Sequence, residues 1–105
     1  MTAIAMVYVT FAGTEEAETV ARTVVAERLA ACANILGACK AIYHWQGKIE
    51  DGTEVATLFK TRPGQCEALI ARIAELHSYE VPSITAWTST DAHTPFSQWV
   101  TEETT

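Results

Sequence analysis

Two hydrophobic periods alternate along this chain, and each change of period marks a predicted element. Residues 3–11 are a short apolar run with β-branched and aromatic side chains, ending near Ala12-Gly13. That pattern predicts a central strand. The period then lengthens. Ala17, Val20, Ala21, Val24, Val25 and Leu29 make a broad stripe over 15–31, which predicts a helix with one buried face. Thr14 offers an oxygen to the free amides of its first turn, and Glu15, Glu16 and Glu18 suit the positive end of the helix dipole. Arg28 falls inside the stripe, so its stem is expected to pack while its head finds a partner or water.

Residues 32–36 read as a short strand ended by Gly37, and residues 40–49 as another, with Ile42, Tyr43 and Trp45 as its heavy apolar positions. Asp51-Gly52 is a strong two-residue hairpin signal, because both turn positions need positive φ. With the turn there, Trp45 lies opposite Leu58 and Tyr43 opposite Lys60, unless a bulge at Gly47 shifts the register by one. Pro63 opens a second helix, whose buried face is Cys66, Leu69, Ile70, Ile73, Leu76 and His77. Residues 81–87 predict a last strand, with Pro82 where no ladder donor is needed. Thr94-Pro95-Phe96 opens a short helix packed through Phe96, Trp99 and Val100. The resulting order is the β-α-β-β-α-β of a ferredoxin-like α+β fold with an extra C-terminal helix, one domain across residues 1–105. Both main helices are expected on one face of an antiparallel sheet, leaving the other face to another copy of the chain.

Composition sharpens that expectation. Of 105 residues, 49 % are apolar and 19 % charged, against about 25 % charged in an ordinary domain. A chain this short, with so little charge, is expected to hide apolar surface between subunits. The net charge of −6 and only seven basic residues exclude a polyanion-binding patch, so neither nucleic acid nor an anionic membrane is an expected partner. There is no pattern of a cleaved leader or a membrane span, and the expected location is the cytoplasm. Cys32, Cys39 and Cys66 are odd in number and lack C-x-x-C spacing, which speaks against a disulfide framework or a structural zinc site.

Candidate chemistry is sparse. Gly13-Thr14 before a helix reads as a turn and cap rather than a phosphate site. His44 is either a plain strand side chain or a ligand, and His93 lies in a polar loop. His77 ends a helix on its inward side; it either bonds the terminal carbonyls or ligates a divalent metal such as copper(II). Cys32 is either a small buried hydrophobe or a thiol ligand. No serine, histidine and acid stand in a pattern that suggests catalysis, so no enzyme is expected.

Several segments together resemble one family. They are Val7-Tyr8-Val9-Thr10, Glu27-Arg28-Leu29-Ala30-Ala31-Cys32-Ala33-Asn34-Ile35, Ile42-Tyr43-His44-Trp45-Gln46-Gly47-Lys48-Ile49, Phe59-Lys60-Thr61 and Leu76-His77-Ser78-Tyr79-Glu80-Val81-Pro82. This combination is similar to the CutA family of divalent-cation tolerance proteins, from about Met6 to Glu103. The resemblance implies a ferredoxin-like homotrimer linked to copper and other divalent cations, with no established enzymatic activity and no organic cofactor. It matches His77 to the family's helix-ending histidine, the first candidate metal ligand, with Glu80 and Cys32 as the other expected donors. Thr10 and Ser83 stand where relatives carry cysteine and glutamate. The resemblance sets Tyr43, Trp45, Lys60 and Tyr79 near a cleft between subunits. The same trimeric fold serves PII-type signalling proteins, so a small effector in that cleft is the alternative expectation.

Overall fold

A computed structural model describes residues 3–105; Met1 and Thr2, which lead into the expected first strand, lie outside the described residues. The element order is β1 (Ala5–Phe11), α1 (Thr14–Ala26), β2 (Cys32–Trp45), β3 (Lys48–Thr61), a 3-10 turn (Pro63–Gln65), α2 (Cys66–Leu76), β4 (Ile84–Thr88) and α3 (Thr94–Glu103). The sheet order is β2-β3-β1-β4 and every pairing is antiparallel. The expected ferredoxin-like topology is therefore present. Among the described residues no helix is long and apolar enough to cross a membrane.

Alternation of side chains along the strands divides the sheet into two faces. Val7, Val9 and Phe11 of β1, with Val55 and Phe59 of β3, face α1 and α2 and form the main core with Val20, Val24, Leu69 and Ile73. Thr57 and Thr61 lie in the same row, and their buried hydroxyls have no hydrogen-bond partner among the described residues. The opposite face is not wholly bare. At one end α3 packs over it, where Ile4, Ala31 and Val100 form a second small core with Met6, Ala92 and Phe96.

Five expectations change. Helix α1 stops at Ala26 and not near residue 31, because Arg28 takes a left-handed φ of 62°. Its N–H bonds the Val25 carbonyl while the Leu29 N–H bonds that of Val24, a Schellman stop that satisfies orphan carbonyls. Arg28 thus leaves the stripe, and its guanidinium reaches the Glu103 carbonyl at 3.3 Å and the Glu103 carboxylate at 3.6 Å. Thr14 makes no capping bond; Gly13 is the cap position.

The two predicted strands at 32–36 and 40–49 are one. Cys32–Trp45 runs through a bulge between Ile35 and Gly37, with Gly37 at φ 108°, so the chain kinks there and continues. The hairpin turn is Gln46-Gly47, at φ 50° and 79°, not Asp51-Gly52. Two consecutive positive φ values are those of a type I′ turn, whose twist matches the strands it joins. Asp51 and Gly52 are ladder residues opposite Ile42 and Ala41, Trp45 lies opposite Lys48, Tyr43 opposite Glu50, and Lys60 opposite Cys32. Strand β4 begins at Ile84, later than expected. Continuing its register would set Pro82 against Phe11, and proline has no N–H for a ladder bond.

Candidate functional site

The site begins where α2 ends. His77 is the C-cap residue of α2; its N–H bonds the Ile73 carbonyl at 2.9 Å and its backbone turns to extended geometry. The turn carries the imidazole into the core, where it is buried and stacks on Phe11, ring centroids 4.7 Å apart and 11° from parallel. Nε2 lies 2.8 Å from the Thr10 carbonyl oxygen. A carbonyl only accepts, so Nε2 donates. Nδ1 accepts the Tyr79 N–H at 3.1 Å. Both ring nitrogens are therefore used within the chain, in the tautomer that carries its hydrogen on Nε2.

The loop after His77 is held from two sides. The Glu16 carboxylate accepts the Ser78 N–H and hydroxyl, each at 2.8 Å, and lies 3.7 Å from His77 Nδ1. Tyr79 tilts over the imidazole at 4.7 Å and donates its phenolic O–H to Glu54 at 2.9 Å. Burial, followed by the bond to Glu54 and that carboxylate's charge, pushes the Tyr79 phenol up to about 12. The phenol thus stays a donor through the whole neutral range.

Loop residues Tyr79, Glu80, Val81 and Ser83, with Thr10, Ala41, Tyr43, Trp45 and Glu54 of the sheet, enclose a cleft of about 820 Å³. The strand positions all belong to the face turned away from α1 and α2. Tyr43, Trp45 and Tyr79, expected beside a cleft between subunits, line this one, and Glu80, expected as a metal donor, lies with them.

Lys60 does not join them. Its amine bonds Asn34 Oδ1 at 2.8 Å and lies 5.8 Å above the Phe96 ring, at the end of the face that α3 covers. Cys32 is beside it, opposite Lys60 in the ladder, where burial raises the thiol and the lysine charge pulls more weakly the other way. His77 lies on the helix-covered side of the sheet with Phe11, and Cys32 on the other. His77, Glu80 and Cys32 do not converge, and among the described residues no three His, Cys, Asp or Glu side chains form a group that could hold a metal ion. With both imidazole nitrogens taken and the thiol on the far face, the three expected donors do not fit one metal within one chain.

Glu16 and Glu54 are the contributors that reading the sequence missed. Glu54 had a signal: with Gln46-Gly47 as the turn, period-two counting sets Glu54 on the face of Tyr43. The Asp51-Gly52 turn kept that face but slid the register, setting Glu54 opposite Ile49 where the fold sets it opposite Cys39. Glu16 had none, because it joins His77 and Ser78 only through tertiary packing. His44 is exposed opposite Ile49, and His93 is exposed before α3.

A four-stranded antiparallel sheet crossed by two helices on one face and a third helix on the other, with two of its strands extended as a hairpin, defines a ferredoxin-like α+β protein with an open, acid- and aromatic-lined cleft. The chain belongs to the family described as CutA1 divalent ion tolerance protein, whose model matches residues 5–103. It is 46 % identical to the divalent-cation tolerance protein CutA of Pyrococcus horikoshii, over 94 % of this chain and 96 % of that one. It is 36 % identical to the human protein CutA, over 96 % of this chain and 56 % of that longer one. The crystal structure of the divalent ion tolerance protein CutA1 from Ehrlichia chaffeensis superposes with a TM-score of 0.95 at 30 % identity, covering 100 % of this chain and 98 % of that one. The family resemblance drawn from the sequence holds.

Proposed function

We propose that this chain is a single-domain, cytoplasmic divalent-cation tolerance protein that works as a homotrimer and binds, rather than transforms, its ligand. The cation is copper(II) or another divalent ion, taken at the cleft by carboxylates of more than one copy. The observation that carries this reading is the pairing of an acid-lined cleft with a hairpin arm whose large apolar side chains are uncovered. Ile42, Trp45 and Ile49 are 72 %, 59 % and 65 % exposed, more than a lone chain normally leaves to water on one element. Packing such arms between copies would bring each cleft against a neighbour and add donors to Glu54 and Glu80. The number three comes from the family resemblance. Among first-row divalent ions copper(II) is bound most tightly by a given set of oxygen and nitrogen donors. Of the three donors expected from the sequence, Glu80 is the ligand; His77 positions the Tyr79 loop, and Cys32 packs.

The test combines light-scattering mass with calorimetric titration of the metal-free, reduced protein by copper(II). The expected mass is three times 11.4 kDa, with saturable binding that weakens in Glu80→Gln and Glu54→Gln but persists in His77→Gln. A monomeric mass, or copper binding lost only in His77→Gln, would sink this assignment. A second reading, a PII-like scaffold holding a small effector, is favoured by the aromatic lining of Tyr43, Trp45 and Tyr79. An effector that binds only the folded form raises the melting temperature, so a thermal-shift screen separates it from a purely metal-binding role.

A further inference from the structure

We infer that the cleft also takes organic ammonium ions, amines with a small apolar body attached to a primary or quaternary nitrogen. The inference rests on the cleft being the functional site and stands apart from the metal. Three side chains of the lining are aromatic, Tyr43, Trp45 and Tyr79; two are carboxylates, Glu54 and Glu80; no lysine, arginine or histidine is among them. Lys60, the one nearby cation expected there, is spent on Asn34 and Phe96. An anionic effector would meet two carboxylates with no cation of the same chain to offset them.

A bare divalent ion meets a different difficulty. It is strongly hydrated and gives up its water only to several oxygen ligands in close array, and no such group of three acids converges among the described residues. An ammonium ion on an organic body sheds water more readily. Ring faces attract it through their quadrupoles, a carboxylate supplies the counter-charge, and Ala41 and Val81 offer aliphatic wall to the body. The Tyr79 hydroxyl holds Glu54 at 2.9 Å before any ligand arrives, which reduces the ordering that binding requires. The volume of about 820 Å³ lies within the ~300–1,000 Å³ of small-molecule sites.

The test is a calorimetric titration of the full chain, in its native assembly, with benzyltrimethylammonium and separately with uncharged benzyl alcohol. The ammonium should saturate one site per chain and bind about tenfold or more tightly than the alcohol, the size of a partly desolvated cation–π contact with a counter-charge. Trp45→Leu and Glu80→Gln should each weaken it by about fivefold or more, while Trp99→Leu, on α3 outside the cleft, should leave it unchanged. Equal affinity for the two probes, or no binding of the ammonium, overturns the inference. Should the cleft variants misfold, the comparison of probes on the unaltered chain still decides. Copper(II) is titrated in parallel. Copper binding without ammonium binding overturns this inference and leaves the metal reading; ammonium binding without copper binding does the reverse.

Discussion

Strands β2 and β3 live in two environments along one ladder. On the sheet side of the bulge at Leu36, their inward residues are sealed: Phe59 is fully buried and packs edge to face with Phe11, centroids 6.4 Å apart. Beyond it the same two strands leave α1 and α2 behind and run out as an arm, giving the chain a 45 Å long axis against 26 and 22 Å. There both faces of the ribbon are uncovered, Ile42 and Ile49 on one side, Tyr43 and Trp45 on the other. The ladder hydrogen bonds continue without change, so they do not distinguish the halves; packing does. A two-stranded ribbon is marginal by itself, and the arm's apolar positions make sense as surface for another copy. The closed half holds the core, the open half leaves its apolar side chains exposed, and the cleft sits where they meet.

The sharpest way to break that comparison is to strike each half alone. Phe59→Ala should cost about 3–5 kcal/mol, since a fully buried ring is replaced by a cavity, and denaturant unfolding should show most of the chain's stability gone. The pair Ile42→Ser and Ile49→Ser should leave far-UV circular dichroism intact while light scattering reports a smaller assembly, each lost isoleucine removing about 1.5–3 kcal/mol of burial between copies. Unchanged mass would mean that the arm does not carry assembly.

Within the closed half, His77→Ala strands the Thr10 carbonyl and the Tyr79 amide, and should cost about 1–3 kcal/mol even in metal-free protein. A loss seen only with metal present would make His77 a ligand. Thr57→Val should go the other way. Its hydroxyl is buried without a partner among the described residues, and a methyl in its place should raise stability by about 1 kcal/mol; a lower denaturation midpoint would mean that the hydroxyl has a partner.

The smallest effect belongs to the cleft wall. The Tyr79 phenol is raised in the fold from 10.0 to about 12. A raised pKa means that the folded state favours the protonated form. Its contribution is therefore full below about pH 10 and fades as pH rises toward 12. Tyr79→Phe should lack this loss, so that the unaltered chain declines more steeply than the variant between about pH 10 and 12. A parallel decline in both would show that Glu54 and burial do not hold the phenol.

Hydrophobic period alone was enough for the order of helices and strands, the buried stripe of each helix and the sheet's second face; the family came from the likeness of particular segments. The first three are local or pairwise consequences of where apolar residues recur, and β1 shows it: Val7, Val9 and Phe11 alternate inward as counted. Turn geometry was half legible. Asp51-Gly52 carries the stronger dipeptide signal, yet Gln46-Gly47 turns, because that register sets Ala33 opposite Phe59 and Ile35 opposite Thr57, where α1 and α2 cover them. The burial of that face outweighs the local preference of two turn residues. The site was legible as a set of names and not as a set of contacts. His77 was marked as inward, but whether it faces a metal or a carbonyl depends on Thr10, 67 positions away. Cys32 and His77 were both plausible donors until the strand's pleat set them on opposite faces. Glu16, Glu54 and the cleft they help shape arise only when α1, the hairpin and the loop after α2 meet, since a carboxylate's role is fixed by what lies within hydrogen-bond distance, and that distance is set by packing across the whole chain.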